Sequence, residues 1–169
     1  MNDPQIYVGT YGKYNNGSIN GAWLKLTDFE DKDAFYKACR KLHADEHDPE
    51  FMFQDYENFP ECFYSESGSP DALWEWLEHD EADRELISIY LENIDHTTDF
   101  QAIKDTFLGC YANWDEFVSQ YLKDSAILRG IPDEVAYYFD YEAYGRNLRH
   151  DLSVAESAGD GDLTYVWSN

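Results

Sequence analysis

Alternating apolar and polar positions predict a β-hairpin near the start of the chain. The runs QIYVGT and GAWLKL have the composition of strands, and the segment YNNGSIN between them contains an Asn-Gly pair that favours a turn. A third strand is predicted for EFMFQDYENF, after an intervening helix. These elements indicate a small α+β unit.

The intervening helix is predicted for DKDAFYKACRKLH, which begins with acids and ends with bases, as the helix dipole favours. Four residues at helical spacing form its predicted buried face: Phe35, Ala38, Cys39 and Leu42. This helix therefore has an apolar face with which it can pack against the strands.

Two amphipathic helices are predicted in the middle of the chain, and the first of them starts at Ser69-Pro70. In this first helix, Leu73, Trp74 and Leu77 share one face. The second helix is predicted to bury five residues: Leu86, Ile87, Tyr90, Leu91 and Ile94. Six acids fall on the solvent-facing sides of the two helices: Asp71, Glu75, Glu78, Glu81, Glu85 and Glu92.

Helical periodicity continues through Phe100, Ile103 and Phe107, and then from 114 to 122. The run GIPDEVAYYFDYEAYGRNL predicts one more helix, which opens near its proline. The run GDGDLTYVW predicts a turn into a final strand. Since no internal repeat or long linker is visible, any domains are expected to pack closely along the chain.

Charge changes this picture, because 35 acids against 12 bases give the 169-residue chain a net charge of −23. Residues 1–41 carry a net charge of +1, residues 42–103 carry −17, and residues 104–169 carry −7. A hydrophobic content of 43% and an aromatic content of 17% argue against a disordered acidic tail. We therefore expect a folded protein whose acids serve solubility or a partner. Direct nucleic-acid binding is excluded, because it needs a basic surface.

The remaining global features predict a soluble, cytoplasmic protein. The three cysteines, Cys39, Cys62 and Cys110, are odd in number and widely spaced, which favours reduced thiols over a disulfide or zinc framework. The first residues lack the pattern of a signal peptide, and no apolar run is long enough to span a bilayer. No membrane contact is expected.

Two kinds of chemical site are conceivable, and neither is favoured. Paired carboxylates could serve acid–base catalysis, but with 35 acids chance proximity is expected. The run HADEHD places His43, Asp45, His47 and Asp48 at spacings that could bind a divalent metal. A solvated loop is the favoured interpretation, because no HExxH or EF-hand pattern accompanies the run. We predict no enzyme activity, no metal and no cofactor, with a metal-dependent hydrolase as the least favoured alternative.

An aromatic run in the last third of the chain predicts a contact between two copies of the protein. Five aromatic residues fall within eight positions: Tyr137, Tyr138, Phe139, Tyr141 and Tyr144. They cannot all point inward from one helix, and tyrosine is favoured at protein interfaces. Residues 126–132, which precede them, contain no acid. We predict a homodimer contact at Ile131, Tyr137, Tyr138, Phe139 and Tyr141, and packing in the monomer's core remains the alternative.

The spacing of the acids can be compared with that of phosphates in DNA. Helical carboxylates at i and i+4 are separated by a rise of ~6 Å, whereas duplex DNA presents one charge per ~1.7 Å of its axis. One helical stripe is too sparse to imitate a duplex, but several adjoining stripes come closer. A dimer with twice the net charge of −23 would match the phosphates of roughly 23 base pairs. The acids therefore suit a decoy for a DNA-binding channel, and an acidic chaperone or scaffold for basic DNA-binding proteins is the alternative.

Three ordered motifs resemble the ArdA family of antirestriction proteins: IYVGTYGKYNNGSINGAWLKL, FQDYENFP and GIPDEVAYYFDYEAYGRNL. The resemblance covers essentially the whole chain. It implies an elongated DNA mimic that forms a homodimer and occupies the DNA-binding groove of type I restriction–modification enzymes, at their methyltransferase core. It also implies three small domains, whose bounds we place from the sequence: residues 1–60 (α+β), 61–104 (acidic and helical) and 105–169 (α+β, with the dimer contact).

The resemblance further implies that the segment from Ile127 to Tyr144 corresponds to the family's antirestriction motif, which is associated with the dimer contact. The stretch YGRNL, from Tyr144 to Leu148, departs from the family pattern, in which an Ala and an Asp are expected. On the reading that acids replace phosphates, fifteen residues form the predicted acidic surface: Asp45, Glu46, Asp48, Asp55, Glu57, Glu61, Asp71, Glu75, Glu78, Glu81, Glu85, Glu92, Asp95, Asp115 and Glu116.

Overall fold

The computed structural model describes residues 2–157 and 163–169 of the chain. These residues form six β-strands: β1 (Gln5–Thr10), β2 (Ala22–Lys25), β3 (Phe51–Glu57), β4 (Phe107–Tyr111), β5 (Leu152–Ser157) and β6 (Leu163–Ser168). The same residues form eight α-helices: α1 (Tyr11–Asn15), α2 (Lys32–Leu42), α3 (Asp71–Leu77), α4 (Glu81–Asn93), α5 (Phe100–Asp105), α6 (Trp114–Asp124), α7 (Asp133–Ala136) and α8 (Tyr141–Leu148). The expected α+β class is confirmed.

The chain divides into two compact units. The first unit extends to Glu92 and includes His96–Thr98, and the second consists of Asn93–Asp95 and the described residues from Asp99 onward. Each unit contains one three-stranded antiparallel sheet. The expected division into three domains is not confirmed.

In the first unit, β1 is the central strand of a sheet with the order β2-β1-β3. The predicted hairpin is confirmed by the pairing of β1 with β2, in which Tyr7 lies opposite Trp23. The connection is longer than a tight turn, because α1 follows β1 directly and is capped by the Thr10 hydroxyl, which accepts from the Lys13 amide at 3.2 Å. Gly17, from the predicted turn, has a φ of +78°, a conformation that favours glycine. The third strand is confirmed as β3, on the other edge of β1.

The predicted helix between these strands is confirmed as α2. It begins where the Asp31 carboxylate accepts from the Ala34 amide at 2.7 Å. Phe35 and Cys39 are buried, and the centre of the Phe35 ring lies 5.8 Å from that of Phe53 in β3. Burial raises the pKa of the Cys39 thiol to about 12, so this thiol is part of the core rather than a reactive group.

The two predicted acidic helices are confirmed as α3 and α4, but α3 buries a different tryptophan from the expected one. Trp76 is 0% exposed, and its indole N–H donates to the Arg84 carbonyl at 3.2 Å. Trp74 is only half-buried, and its N–H donates to the Ser69 hydroxyl at 2.6 Å. Since Leu73 and Trp76 are three residues apart, they lie on the same face of α3 and enter the core together.

In the second unit, β6 is the central strand of a sheet with the order β4-β6-β5. The predicted final strand is confirmed as β6, in which Val166 and Trp167 are both 0% exposed. The turn predicted before it, at residues 159–162, lies outside the described residues. Phe107, expected in a helix, begins β4 instead. A shift of register between Phe107 and Gly109, which has a φ of +145°, interrupts the alternation that marks a strand.

The single helix expected from Pro132 onward is two helices, α7 and α8. Pro132 precedes α7, and α8 starts anew at Asp140, whose carboxylate accepts from the Ala143 amide at 2.8 Å. Helix α8 packs against α6 at the buried Gly145, where a Cβ would lie 3.0 Å from the Trp114 indole nitrogen. Glycine at this departure from the family pattern therefore lets the two helices approach closely.

The expectations of reduced thiols and of no apolar run long enough to span a bilayer can be compared with the structure. Cys39 is buried while Cys62 and Cys110 are exposed, and all three are free thiols. None of the helices in the described part of the chain is long and apolar enough to cross a membrane. One core cluster of the second unit is formed by apolar residues from α6, α8 and β6: Phe117, Val118, Leu122, Leu148 and Val166.

Candidate functional site

Fourteen of the fifteen residues of the predicted acidic surface are exposed, and only Glu46 is half-buried. Twelve of the fifteen lie in the first unit, while Asp95, Asp115 and Glu116 lie in the second. The acids of the first unit come from the loop after α2, from β3 and the 3-10 turn at 61–63, from α3 and the residue after it, and from α4. The folding of the first unit therefore brings acids that are distant in the sequence onto one compact body.

Many of these exposed carboxylates have no cationic partner. Within the described residues, eight of them form no salt bridge: Asp48, Asp55, Glu61, Glu75, Glu78, Glu85, Glu92 and Asp115. In α3, Asp71 and Glu75 are four residues apart, and the same spacing separates Glu81 from Glu85 in α4. This spacing places each pair on one face, with a rise of ~6 Å between its members.

Arg84 is the only lysine or arginine among residues 42–103, and it forms no salt bridge with these acids within the described residues. Its side chain is half-buried, and the guanidinium carbon lies 5.6 Å from the centre of the Trp76 ring. This is the geometry of a cation–π contact. The Arg84 Nε is buried and has no hydrogen-bond partner. The only lysine or arginine of residues 42–103 thus packs on a core residue of the first unit.

Other members of the acidic surface have partners within the chain. Asp45 lies 3.0 Å from the Lys13 ammonium, whose hydrogen bond lowers the pKa of that carboxyl. Asp71 lies 2.7 Å from the Lys32 ammonium. The Glu116 carboxylate accepts from a backbone N–H at 2.7 Å at the start of α6. The carboxylates in these contacts are exposed, so solvent screens the attraction and the contacts hold the acids in place only weakly.

Glu92 differs from the other acids because burial raises the pKa of its carboxyl. Part of the side chain is open to solvent, but it also lines a groove of about 480 Å³ with Tyr56, Phe59 and Leu91. These apolar surfaces disfavour the charged carboxylate. Within the acidic surface, Glu92 is therefore a position where ionisation costs stability.

The run HADEHD was expected to be a solvated loop, but its first residue, His43, is buried and only 1% exposed. The ligand atoms of His43, Asp45 and Glu46 lie within 4.8 Å of one another, as in a possible metal site. The Lys13 ammonium, however, lies among them: it is 2.9 Å from His43 Nδ1, 3.0 Å from Asp45 and 3.6 Å from Glu46. A lysine thus supplies the positive charge that a metal ion would bring.

The contacts of His43 also define its role. An ammonium can only donate, so Nδ1 accepts from Lys13 and the ring proton is on Nε2, which lies 3.2 Å from the Val8 carbonyl oxygen. Glu46 accepts from the Thr10 hydroxyl at 2.7 Å, at the start of α1. These contacts tie α1 and β1 to the loop after α2. Glu46 and His43 therefore stabilise the fold of the first unit.

The predicted dimer residues fall into two groups in the second unit. Tyr137 and Tyr138 are 83% and 82% exposed, and Ile131 and Tyr141 are also exposed. Phe139 is half-buried and packs against the core of the second unit. Phe139 thus contributes to the monomer's core, while the two tyrosines beside it do not. Whether the exposed residues contact a second copy remains a prediction.

The aromatic groove on the outer face of the first sheet is a feature that the sequence analysis missed. Tyr7, Tyr14 and Trp23 line a groove of about 580 Å³, together with Tyr64 and carboxylates. The alternation within QIYVGT and GAWLKL places Tyr7 and Trp23 on the face opposite to the core. This alternation was the signal that could have identified the groove.

Comparison with protein families agrees with the resemblance in the sequence. The family model for the ArdA antirestriction protein matches residues 6–160. No curated protein matches the chain significantly. The family match covers most of the 169 residues and includes both units. The chain therefore belongs to the ArdA family of antirestriction proteins.

Proposed function

We propose that this protein blocks restriction by presenting its acidic surface in place of duplex DNA, within the DNA-binding groove of a type I restriction–modification enzyme. The observation that carries the proposal is the set of eight exposed carboxylates without a salt bridge in the described residues. An acidic surface made only for solubility would tolerate neutralising bases. Here the only lysine or arginine among residues 42–103, Arg84, lies on Trp76, and the lysines from outside this stretch pair with only a few of the acids.

The first unit can keep these charges at defined positions because its acidic helices rest on a packed core. Leu73 and Trp76 of α3, and Ile87 and Leu91 of α4, are at most 2% exposed. Counterions condensed near the acids and near a basic groove would be released on binding, as they are when DNA binds. Occupancy of the groove by the protein would then exclude DNA.

The protein is also proposed to act as a homodimer through residues 126–141, which we call the aromatic segment. Six large apolar residues of this segment are exposed: Ile127, Ile131, Val135, Tyr137, Tyr138 and Tyr141. A groove of about 820 Å³ lies beside them, lined by Leu122, Leu128 and Tyr141 among others. Exposed tyrosines and other large apolar side chains beside a groove favour a protein interface.

The direct test is displacement of labelled duplex DNA from a purified type I methyltransferase core. Wild-type protein should displace the duplex, and the concentration needed should rise steeply with salt, because opposed charge fields drive the contact. Equal displacement at low and high salt would contradict a charge-based mechanism. Failure to displace DNA at any salt concentration would contradict the proposed function itself.

A charge-matched pair of triple variants tests whether position matters. The first variant is Glu75→Gln, Glu78→Gln and Glu85→Gln, all on the exposed faces of α3 and α4 or the turn between them. The control replaces three exposed acids of the same unit outside the predicted surface, in Asp28→Asn, Glu30→Gln and Asp33→Asn. At ~0.2–1 kcal/mol for each exposed charge, the first variant should weaken displacement about tenfold and the control should weaken it much less.

Equal losses in the two triple variants would mean that only the total charge counts, as expected for an acidic chaperone or scaffold for basic proteins. A complete loss of function from one change, such as Glu85→Gln in a folded protein, would instead indicate a catalytic or metal-binding role. Both outcomes contradict mimicry of DNA.

A further inference from the structure

The outer face of the first sheet carries one row of side chains across all three strands. Tyr7 in the central strand lies opposite Trp23 of β2 and opposite Asp55 of β3. The rings of Tyr7 and Trp23 are 5.5 Å apart at an angle of 77°. The row therefore combines two aromatic faces with one carboxylate, on the side of the sheet away from α2.

Two neighbouring segments form the walls of a groove along this row of side chains. The connection between β1 and β2 contributes Tyr14 and Ile19, and the Tyr7 hydroxyl holds it by donating to the Ile19 carbonyl at 3.0 Å. On the other side, the Tyr64 hydroxyl donates to the Phe53 carbonyl at 2.7 Å. Tyr14 is 52% exposed and Trp23 is 37% exposed, so their rings remain accessible.

The carboxylates of Asp55 and Glu66 give the groove a negative potential. The pKa of Tyr64 is raised, first by burial and then by the charges of Glu66 and Asp55, which shows that both carboxylates lie near this ring. Neither carboxylate forms a salt bridge within the described residues, and no base lines the groove. Aromatic faces and acids thus occur together without an internal cation.

We propose that this groove binds an arginine side chain on the basic surface of a protein partner, an inference that rests on the proposed function. A guanidinium is planar, stacks on aromatic rings and pairs with carboxylates, which are the two kinds of surface that the groove offers. A purely apolar occupant would bury the charges of Asp55 and Glu66 without a cation to neutralise them, which is costly. A lysine ammonium would pair with the acids but stacks less well, because it is compact and strongly hydrated.

The test compares the binding of two capped peptides of equal charge, hexa-arginine and hexa-lysine, by calorimetry. Wild-type protein should prefer the arginine peptide. Trp23→Ala leaves the net charge unchanged and should weaken binding of the arginine peptide by about fivefold to thirtyfold, with little change for the lysine peptide. Leu108→Ala, at a side chain of the second unit that is 41% exposed, is the matched control and should leave both affinities unchanged.

Three further variants guard the test against misfolding and against a general effect of charge. Tyr14→Ala removes a more exposed ring and should reduce the preference for arginine in a chain with unchanged circular dichroism. Asp55→Asn and Asp48→Asn each remove one exposed charge of the first unit, but only Asp55 lines the groove. Asp55→Asn should therefore weaken the arginine peptide more than Asp48→Asn does.

An unchanged ratio of the two affinities in folded Trp23→Ala and Tyr14→Ala would overturn the inference. If wild-type protein still displaced duplex DNA from the methyltransferase core, the proposed function would stand without this groove. Wild-type protein could also fail to displace DNA while the two aromatic variants lose the preference for arginine that wild-type protein shows. The groove would then stand as an arginine site, and the proposed function would fall.

Discussion

Residues 71–92 and the aromatic segment both mix acids with large apolar side chains, but the two regions expose opposite kinds of residue. In residues 71–92, Trp76, Ile87 and Leu91 are buried, and all the acids except the half-buried Asp83 are exposed. In the aromatic segment, Val135, Tyr137 and Tyr138 are exposed. Similar mixtures of acidic and large apolar residues therefore give a charged surface in residues 71–92 and an apolar surface in the aromatic segment.

Helix length explains this difference. Helix α4 has 13 residues, so one face can be buried along three turns while the other carries acids. Helix α7 has only four residues and no buried member. A helix of a single turn is too short to present a continuous apolar face to a core. The tyrosines that follow α7 therefore remain exposed to solvent. Amino-acid composition alone therefore does not determine whether a segment presents a charged or an apolar surface.

The largest expected effect comes from breaking the support of the acidic helices. Trp76→Ala removes a fully buried ring and should lower the free energy of unfolding by ~3–5 kcal/mol. Denaturant unfolding followed by circular dichroism measures this loss. Trp74→Ala, at the half-buried neighbour, should cost less. An equal or larger cost at Trp74 would contradict the assignment of Trp76 to the core.

Replacing the exposed tyrosines of the aromatic segment should affect the free energy of unfolding only slightly, but it should abolish the proposed dimer. Tyr137→Ala with Tyr138→Ala should change the free energy of unfolding by less than ~0.5 kcal/mol per exposed residue. Sedimentation should nevertheless find a folded monomer in place of the proposed dimer. Phe139→Ala, at the adjacent residue that packs against the core, should lower stability clearly. An unchanged dimer in the double tyrosine variant would place the contact elsewhere.

The smallest expected effect concerns Glu92, where the acidic surface meets apolar neighbours. Burial raises the pKa of this carboxyl, so keeping it ionised in the folded chain costs stability. This cost is present at neutral pH and disappears as the pH falls through the raised pKa. Glu92→Gln should therefore melt at a slightly higher temperature than wild type at neutral pH, and the two should converge in acid.

Removing any acid from a chain of charge −23 relieves some repulsion, so Glu92→Gln needs a charge-matched control. Glu85→Gln removes one charge from an exposed position of the same helix. The gain in melting temperature should be larger for Glu92→Gln at neutral pH. Equal gains at every pH would mean that burial at Glu92 has no measurable cost.

Periodicity predicted the long, regular elements of this chain well. Helices α2, α3 and α4 and strands β1, β2, β3 and β6 lie where alternation or helical spacing indicated. Strand β4 could not be found in this way, because its bulge at Gly109 breaks the period of two. Strand β5 is not predicted by the sequence pattern, and its pairing with β6 supplies what its own residues do not signal.

The candidate site was predictable only where exposure follows from local spacing. The acids of α3 and α4 lie opposite a buried face, so their exposure follows from the helical period. Glu46 was expected to be part of the acidic surface, yet its carboxylate binds Thr10, which is distant in the sequence. Phe139 and Tyr138 are adjacent in one run, and only tertiary packing distinguishes the core residue from the exposed one.

The position of β6 between β4 and β5 has a consequence for how the chain acquires its structure during synthesis. A ribosome makes β6 after both of its neighbours, so for some time these two strands exist without the strand that joins them. Their open edges could pair with other chains in that interval. Residues 104–169 carry a net charge of −7, and mutual repulsion between nascent chains would oppose such pairing. The acidity through which the mature protein is proposed to enter a basic groove would then also protect the chain before its synthesis is complete.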